Sequence, residues 1–181
     1  AMAYMKDDGH LVRTVRINEN PRFFGGGLGG RIQELDWEGK VVWDFMLSDE
    51  TCSMHHEFEL LPNGHLIVIA WEYLSREEGI ALGRDPAQTS PKGFWPCMLL
   101  ELEPVLPDDA KIVWEWRARD HLVQDFDAKS TGYGAIADHP GRIDINADHR
   151  DDPPLTEERR KELEKRKREM AALGYTGGDD D

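Results

Sequence analysis

The sequence predicts an all-β chain: two consecutive four-stranded antiparallel sheets, then a long loop and one C-terminal helix. Three observations predict it. Short apolar segments recur in the same order along the chain. Asp-Gly and Asn-Gly turns punctuate them, and both copies finish on a strand with aromatic, acidic and aromatic residues in succession.

The repeat is explicit in the residues. Asp7 to Val12 matches Pro62 to Ile67 at an offset of 55, Ile32 to Asp36 matches Leu99 to Glu103 at 67, and Val42 to Phe45 matches Val113 to Trp116 at 71. The offset only grows, as loop insertions require, while the matched segments keep their length. Repeats of roughly 40–50 residues built from four short strands are the signature of propeller blades. An ordinary β-sandwich with coincidental similarity is the plainer alternative.

Taken in order, residues 1–48 form the first blade, of which strand one is represented by Tyr4 to Lys6. Arg31 to Asp36 and Lys40 to Met46 are its third and fourth strands, joined by the Trp37-Glu38-Gly39 turn. Residues 49–118 form the second blade, with strands at His56 to Leu61, His65 to Trp71, Met98 to Glu103 and Lys111 to Arg117. Asn63-Gly64 supplies its first turn, since both residue types tolerate positive φ. The segment from Glu72 to Pro96 reads as a long connection full of breakers. Residues 119–155 read as a loop or insertion, with Leu122-Val123 and Ile143 to Ile145 as its apolar anchors. Thr156 as N-cap, Glu157 and Glu158 in the first turn, and Gly174 past the end predict a helix over 156–174. Its basic run between Arg159 and Arg168, interleaved with acids, fits an exposed face laced with i,i+4 pairs. Residues 175–181 are an acidic tail.

Composition narrows the function. The net charge of −14 argues against nucleic acid as a partner, because displacing counterions from phosphates needs a basic face. No run reaches the ~20 apolar residues of a membrane span. No leader-like apolar stretch opens the chain, because Lys6, Asp7 and Asp8 interrupt it. Two cysteines, Cys52 and Cys97, permit one disulfide without demanding it.

Blade topology brings several unusual segments to one face of a propeller. Cys52 to His56 leads into the second blade, Phe23 to Gly30 (FFGGGLGG) and Phe94 to Cys97 join strands two and three, and Asp120-His121 and Asp138-His139 follow strand four. In an extended strand His55 and His56 point to opposite sides, so one of them faces the channel. The glycine run can cradle an anion with backbone N–H groups, or simply allow close packing at the rim. His10 and His65 fall in the far-side hairpin turns and read as structural or solvated.

The segments FFGGGLGGRIQELDWEGKVVWDF, HHEFELLPNGHLIVIAWE, KIVWEWRARDHLVQDFD and YGAIADHPGRIDIN resemble the arylsulfotransferase-like family of β-propeller proteins over roughly residues 5–146. The resemblance implies a six-bladed propeller, of which this chain is similar to the first third. The remaining blades would then come from the same polypeptide or a second chain. It also implies a small-molecule substrate and sulfuryl transfer from an aryl sulfate through a channel histidine, with no cofactor required. By the resemblance, His56 or His55 is the channel histidine, and Arg117, Arg119 and His121 are the candidates for binding the sulfate oxygens; blade topology brings His121 to the catalytic candidates and His139 to the substrate binders on the same face. An extracytoplasmic location is likewise implied. Two other function classes stay open. One is a metalloenzyme in which His55, His56 and His121 hold copper or zinc; the other is a non-catalytic propeller that binds a ligand or partner.

Overall fold

Alternating apolar and polar positions set up two sheets whose strands follow one another in space as they do in sequence. The computed structural model describes residues 2–147 together with Lys161, Lys165, Arg168 and Glu169. The first sheet contains β1 (Ala3–Met5), β2 (Leu11–Arg16), β3 (Gly30–Leu35) and β4 (Val41–Met46). The second contains β5 (Cys52–Leu60), β6 (Leu66–Glu72), β7 (Cys97–Val105) and β8 (Asp109–Arg117). Both are antiparallel meanders in chain order.

The sequence repeat holds down to individual hydrogen bonds. Val12 faces Glu34 across β2 and β3, and Ile67 faces Glu101 across β6 and β7. Each register slips at the same place, after Glu34 and after Glu101, leaving Val42 and Val113 as the extra residues of equivalent bulges. In the first hairpins, Gly9 and Gly64 sit at φ 86° and 84°, where a side chain would be strained. The His10 N–H donates to Asp8 Oδ1 and the His65 N–H to Asn63 Oδ1, both at 3.0 Å. His10 Nδ1 then lies 2.6 Å from Glu34 Oε1, and His65 Nδ1 lies 2.7 Å from Glu101 Oε1. Each of these two histidines ties its hairpin turn to the third strand of its sheet.

The core lies between the sheets, and it is built from non-equivalent faces. Val12, Ile32 and Trp43 of the first sheet pack on Phe58, Leu66, Val68, Ala70, Leu100 and Leu102 of the second. In repeat terms Val12, Ile32 and Trp43 correspond to Ile67, Leu99 and Trp114, which lie on the opposite side of the second sheet. The sheets therefore stack head to tail. Trp43 is 1% exposed, and its indole Nε1 donates to the Asp109 carbonyl at 2.8 Å, so burial leaves no unpaired N–H.

Three sequence expectations change. The connection after β6 holds a helix, α1 (Arg76–Ala81), started by a capping box in which Ser75 and Glu78 satisfy each other's backbone N–H groups. The β7–β8 hairpin runs three pairs beyond Leu102, to Val105 opposite Asp109, and absorbs the final growth in offset. The 119–147 segment is ordered by its anchors: β9 (Leu122–Val123) pairs in parallel with β10 (Ile143–Asp144). Beside them, fully buried Gln124 accepts from the Phe126 and Asp127 N–H groups and donates to the Asp127 carbonyl. These sheets and this ribbon belong to one compact unit ending at Ile145. Lys161, Lys165, Arg168 and Glu169 are helical, with Lys165 Nζ 3.8 Å from Glu169 Oε1. The rest of the expected 156–174 helix and the 175–181 tail lie outside the described residues.

Trp43→Ala is expected to lower unfolding free energy by about 3–5 kcal/mol in urea titration. Trp37→Ala, in the exposed β3–β4 turn, should stay within about 0.5 kcal/mol.

Candidate functional site

A long irregularity in β5 places the histidine pair. Met54 pairs with Ala70 and Phe58 with Val68, so His55, His56 and Glu57 together face Ile69 alone. A bulge of this kind re-aims side chains, and it replaces the expected strict alternation. The His55 ring lies 3.9 Å from the Trp71 ring, centroid to centroid. A Cβ placed on Gly27 would sit 3.6 Å from Trp71 Cη2 and 3.9 Å from His56 Cδ2, so Gly27 borders the indole and the His56 ring alike.

The glycine run is laid directly on the bulge. The His56 N–H donates to the Gly27 carbonyl at 3.0 Å, and the Gly29 N–H to the Met54 carbonyl at 3.1 Å. A side chain at Gly29 would overlap the His55 carbonyl, so this approach requires glycine. Thr14 Oγ1 donates to the His56 carbonyl at 2.8 Å and ties the bulge to the first sheet. Around it runs an aromatic wall. Phe23 stacks on Trp71 at 6.4 Å, while Trp95 contacts Phe23 at 5.3 Å, Phe24 at 4.8 Å and Trp71 at 6.0 Å. Phe23 is buried and Phe24 exposed, so the wall reaches from core to solvent.

Burial, followed by the neighbouring His56, pushes the His55 pKa below the ordinary imidazole value. Its Nε2 is buried without a hydrogen-bond partner. The His56 side chain is 40% exposed, with Nδ1 3.8 Å from Glu57 Oε1. The bulge thus presents one neutral, enclosed imidazole beside one open to solvent.

The other sequence candidates lie elsewhere. His121 stacks on Trp116 at 4.7 Å in the 3-10 turn Ala118–His121. His139 is exposed in the turn after Ile136–Asp138, beside Gly134. Among the described residues His55, His56 and His121 do not form a cluster with ligand atoms close to one another. The group that does converge is Asp8, His10 and Glu34. Lys6 Nζ already lies 2.8 Å from Glu34 Oε1 and 3.2 Å from Asp8 Oδ2, filling it with a cation of the chain's own.

Arg117 and Arg119 converge on a residue the sequence reading passed over. Glu72 is 4% exposed, and its Oε2 lies 2.9 Å from Arg117 Nη1 and 3.2 Å from Arg119 Nη1. Glu115, then Glu72, holds the Arg117 guanidinium above its usual pKa. With Cys52, Tyr73 and Met98 they line a cavity of about 250 Å³. Cys52 and Cys97 are free thiols, each raised in pKa by burial. The sequence places Glu72 at the start of the 72–96 connection, where no spacing ties it to Arg117 or Arg119.

Comparisons with known protein families, with curated proteins and with solved structures find no match.

His55 gives the fold a pH dependence. Its folded pKa lies below the unfolded value near 6.5, so the unfolded chain takes up the proton first on acidification. The His55 contribution is complete above that value and declines as pH falls through it. Unfolding free energies measured from pH 5 to 8 should show a shallower acid-side loss for His55→Gln than for the parent chain.

Proposed function

We propose that this chain is part of an arylsulfotransferase-like β-propeller, its two sheets serving as blades, and that the β5 bulge takes a sulfuryl group from an aryl sulfate. The observation that carries the proposal is His55 seated on an aromatic wall with His56 next to it, both beneath a glycine run. Trp71, Trp95 and Phe24 offer an aryl ring flat and edge contacts. His56 is the nucleophile, because it is the imidazole open to solvent.

In this reaction His56 Nε2 forms a bond to sulfur as the sulfur–oxygen bond to the aryl group breaks. The aryl oxygen leaves with the bonding electrons as a phenolate. A phenolic acceptor then attacks the same sulfur, releases the imidazole and gives up its proton to solvent. The N–H groups of Gly25 to Gly27, none of which meets a protein acceptor among the described residues, suit the sulfuryl oxygens. Arg117 and Arg119, balanced by Glu72, are assigned to their own cavity instead.

Incubation with 4-nitrophenyl sulfate and a phenolic acceptor should release nitrophenol and leave a sulfuryl adduct on His56 detectable by peptide mass spectrometry. His56→Ala should lower turnover by at least about a hundredfold, the scale of losing a covalent or proton-transfer group, with the thermal midpoint retained. Neither turnover nor adduct in the parent protein would sink the proposal.

A further inference from the structure

The head-to-tail stacking leaves one face of each sheet open, and these two faces complement one another. On the second sheet the open face carries Ile67, Ile69, Leu99, Trp114 and Trp116, the counterparts of residues that are packed away in the first sheet. Trp114 is 47% exposed where its counterpart Trp43 is 1% exposed, and its indole N–H has no protein acceptor among the described residues. On the first sheet the open face carries Met5, Val41 and Met46, exposed by 60%, 39% and 53%, beside Arg13 and Arg31.

We propose that a second copy of this chain lays the open face of its first sheet on the open face of the second sheet, repeating the contact already made within one chain. The charges favour this pairing: Glu59 on the second sheet would meet Arg13 of the next copy, while Glu101 and Glu103 stay paired to His65 and Lys111 of their own chain. Register makes one contact specific. Within the chain, Tyr4 packs edge-on against Phe58 at 5.5 Å, and Phe58 pairs with Val68. The repeat maps Tyr4 to Glu59, and maps the Phe58–Val68 pair back to Ala3 and Arg13, which pair in β1 and β2. Glu59 of one copy therefore comes beside Arg13 of the next.

The polar groups on the first sheet's face are prepared for contact. Arg13 donates twice to Gln33 Oε1, Gln33 donates to Asp44 Oδ2, and Arg31 Nε lies 3.2 Å from Asp44 Oδ1. The contact joins different surfaces, so copies add in one sense and close into a ring when the rotation allows. The inference deepens the propeller proposal by naming the source of further blades. It rests on sheet faces alone and does not depend on sulfuryl transfer.

Sedimentation velocity of the full chain over a wide concentration range provides the test, with circular dichroism confirming the fold of each variant. The expected result is species at multiples of 20.7 kDa. Arg13→Glu and Glu59→Arg should each weaken association by about tenfold or more, and the double variant should recover it, as a reversed charge pair requires. Trp114→Glu should give monomer. A folded parent chain that stays monomeric at every concentration overturns the proposal and assigns the face to other polypeptide. An oligomer unmoved by Arg13→Glu also overturns it, because the contact would then leave out the open face of the first sheet.

Discussion

Two sheets with the same internal plan bury opposite sides against each other, and the remaining architecture follows from that contact. Trp43, Ile32 and Val12 can be buried because the second sheet presents small and branched apolar residues, Val68, Ala70 and Leu100, where the first sheet has Arg13, Val15 and Gln33. Fully burying each large apolar side chain stabilises by roughly 1.5–3 kcal/mol. The difference between an apolar and a polar face therefore decides which side of each sheet is packed. The same contact fixes the bulge, because Thr14 reaches across it to the His56 carbonyl.

The bulge shows how local irregularity generates a site in an otherwise repetitive structure. A regular β5 would send one imidazole to each side of the sheet, as alternation requires. Three residues opposite Ile69 relax that constraint, seating His55 on Trp71 and leaving His56 beside Gly27. Within the glycine run, Gly27 lies at van der Waals range of the bulge and Gly29 leaves no room for a side chain beside the His55 carbonyl. The Arg117–Glu72–Arg119 cluster is a different kind of construction. There a buried carboxylate holds two guanidiniums along one cavity wall, and positive charge is neutralised where it would otherwise be free to bind.

Legibility in the sequence follows the range of each interaction. The two meanders were readable because hairpin chemistry is local: Asp8-Gly9-His10 and Asn63-Gly64-His65 encode their turns within three residues. The convergence of the glycine run, the Phe94-Trp95 segment and the histidine pair also followed from strand order. The bulge was not readable, since three residues opposite Ile69 leave no mark in the apolar pattern of β5. The Ser75 to Glu78 capping box was written in the sequence but masked by the breakers around it. The Arg117–Glu72 pair spans two strands, and His121 is claimed by Trp116. Neither partnership has a sequence spacing that reveals it.

The site and the open sheet face share an edge. Trp71 lies on the same side of the second sheet as Ile67 and Ile69, so the aromatic wall around the histidine pair continues the open face. Trp116, which holds His121, belongs to that side as well. A sheet seated there would cover Ile69 and Leu99 and form a further wall beside His56. Assembly and exclusion of water from the imidazole pair are then one physical event. Electrostatic interactions with a transferring group strengthen as water is excluded. In the assembly proposed above, the apolar surface left open by the second sheet drives association and, by covering the margin of the bulge, supplies the low-dielectric surroundings that a neutral imidazole already anticipates.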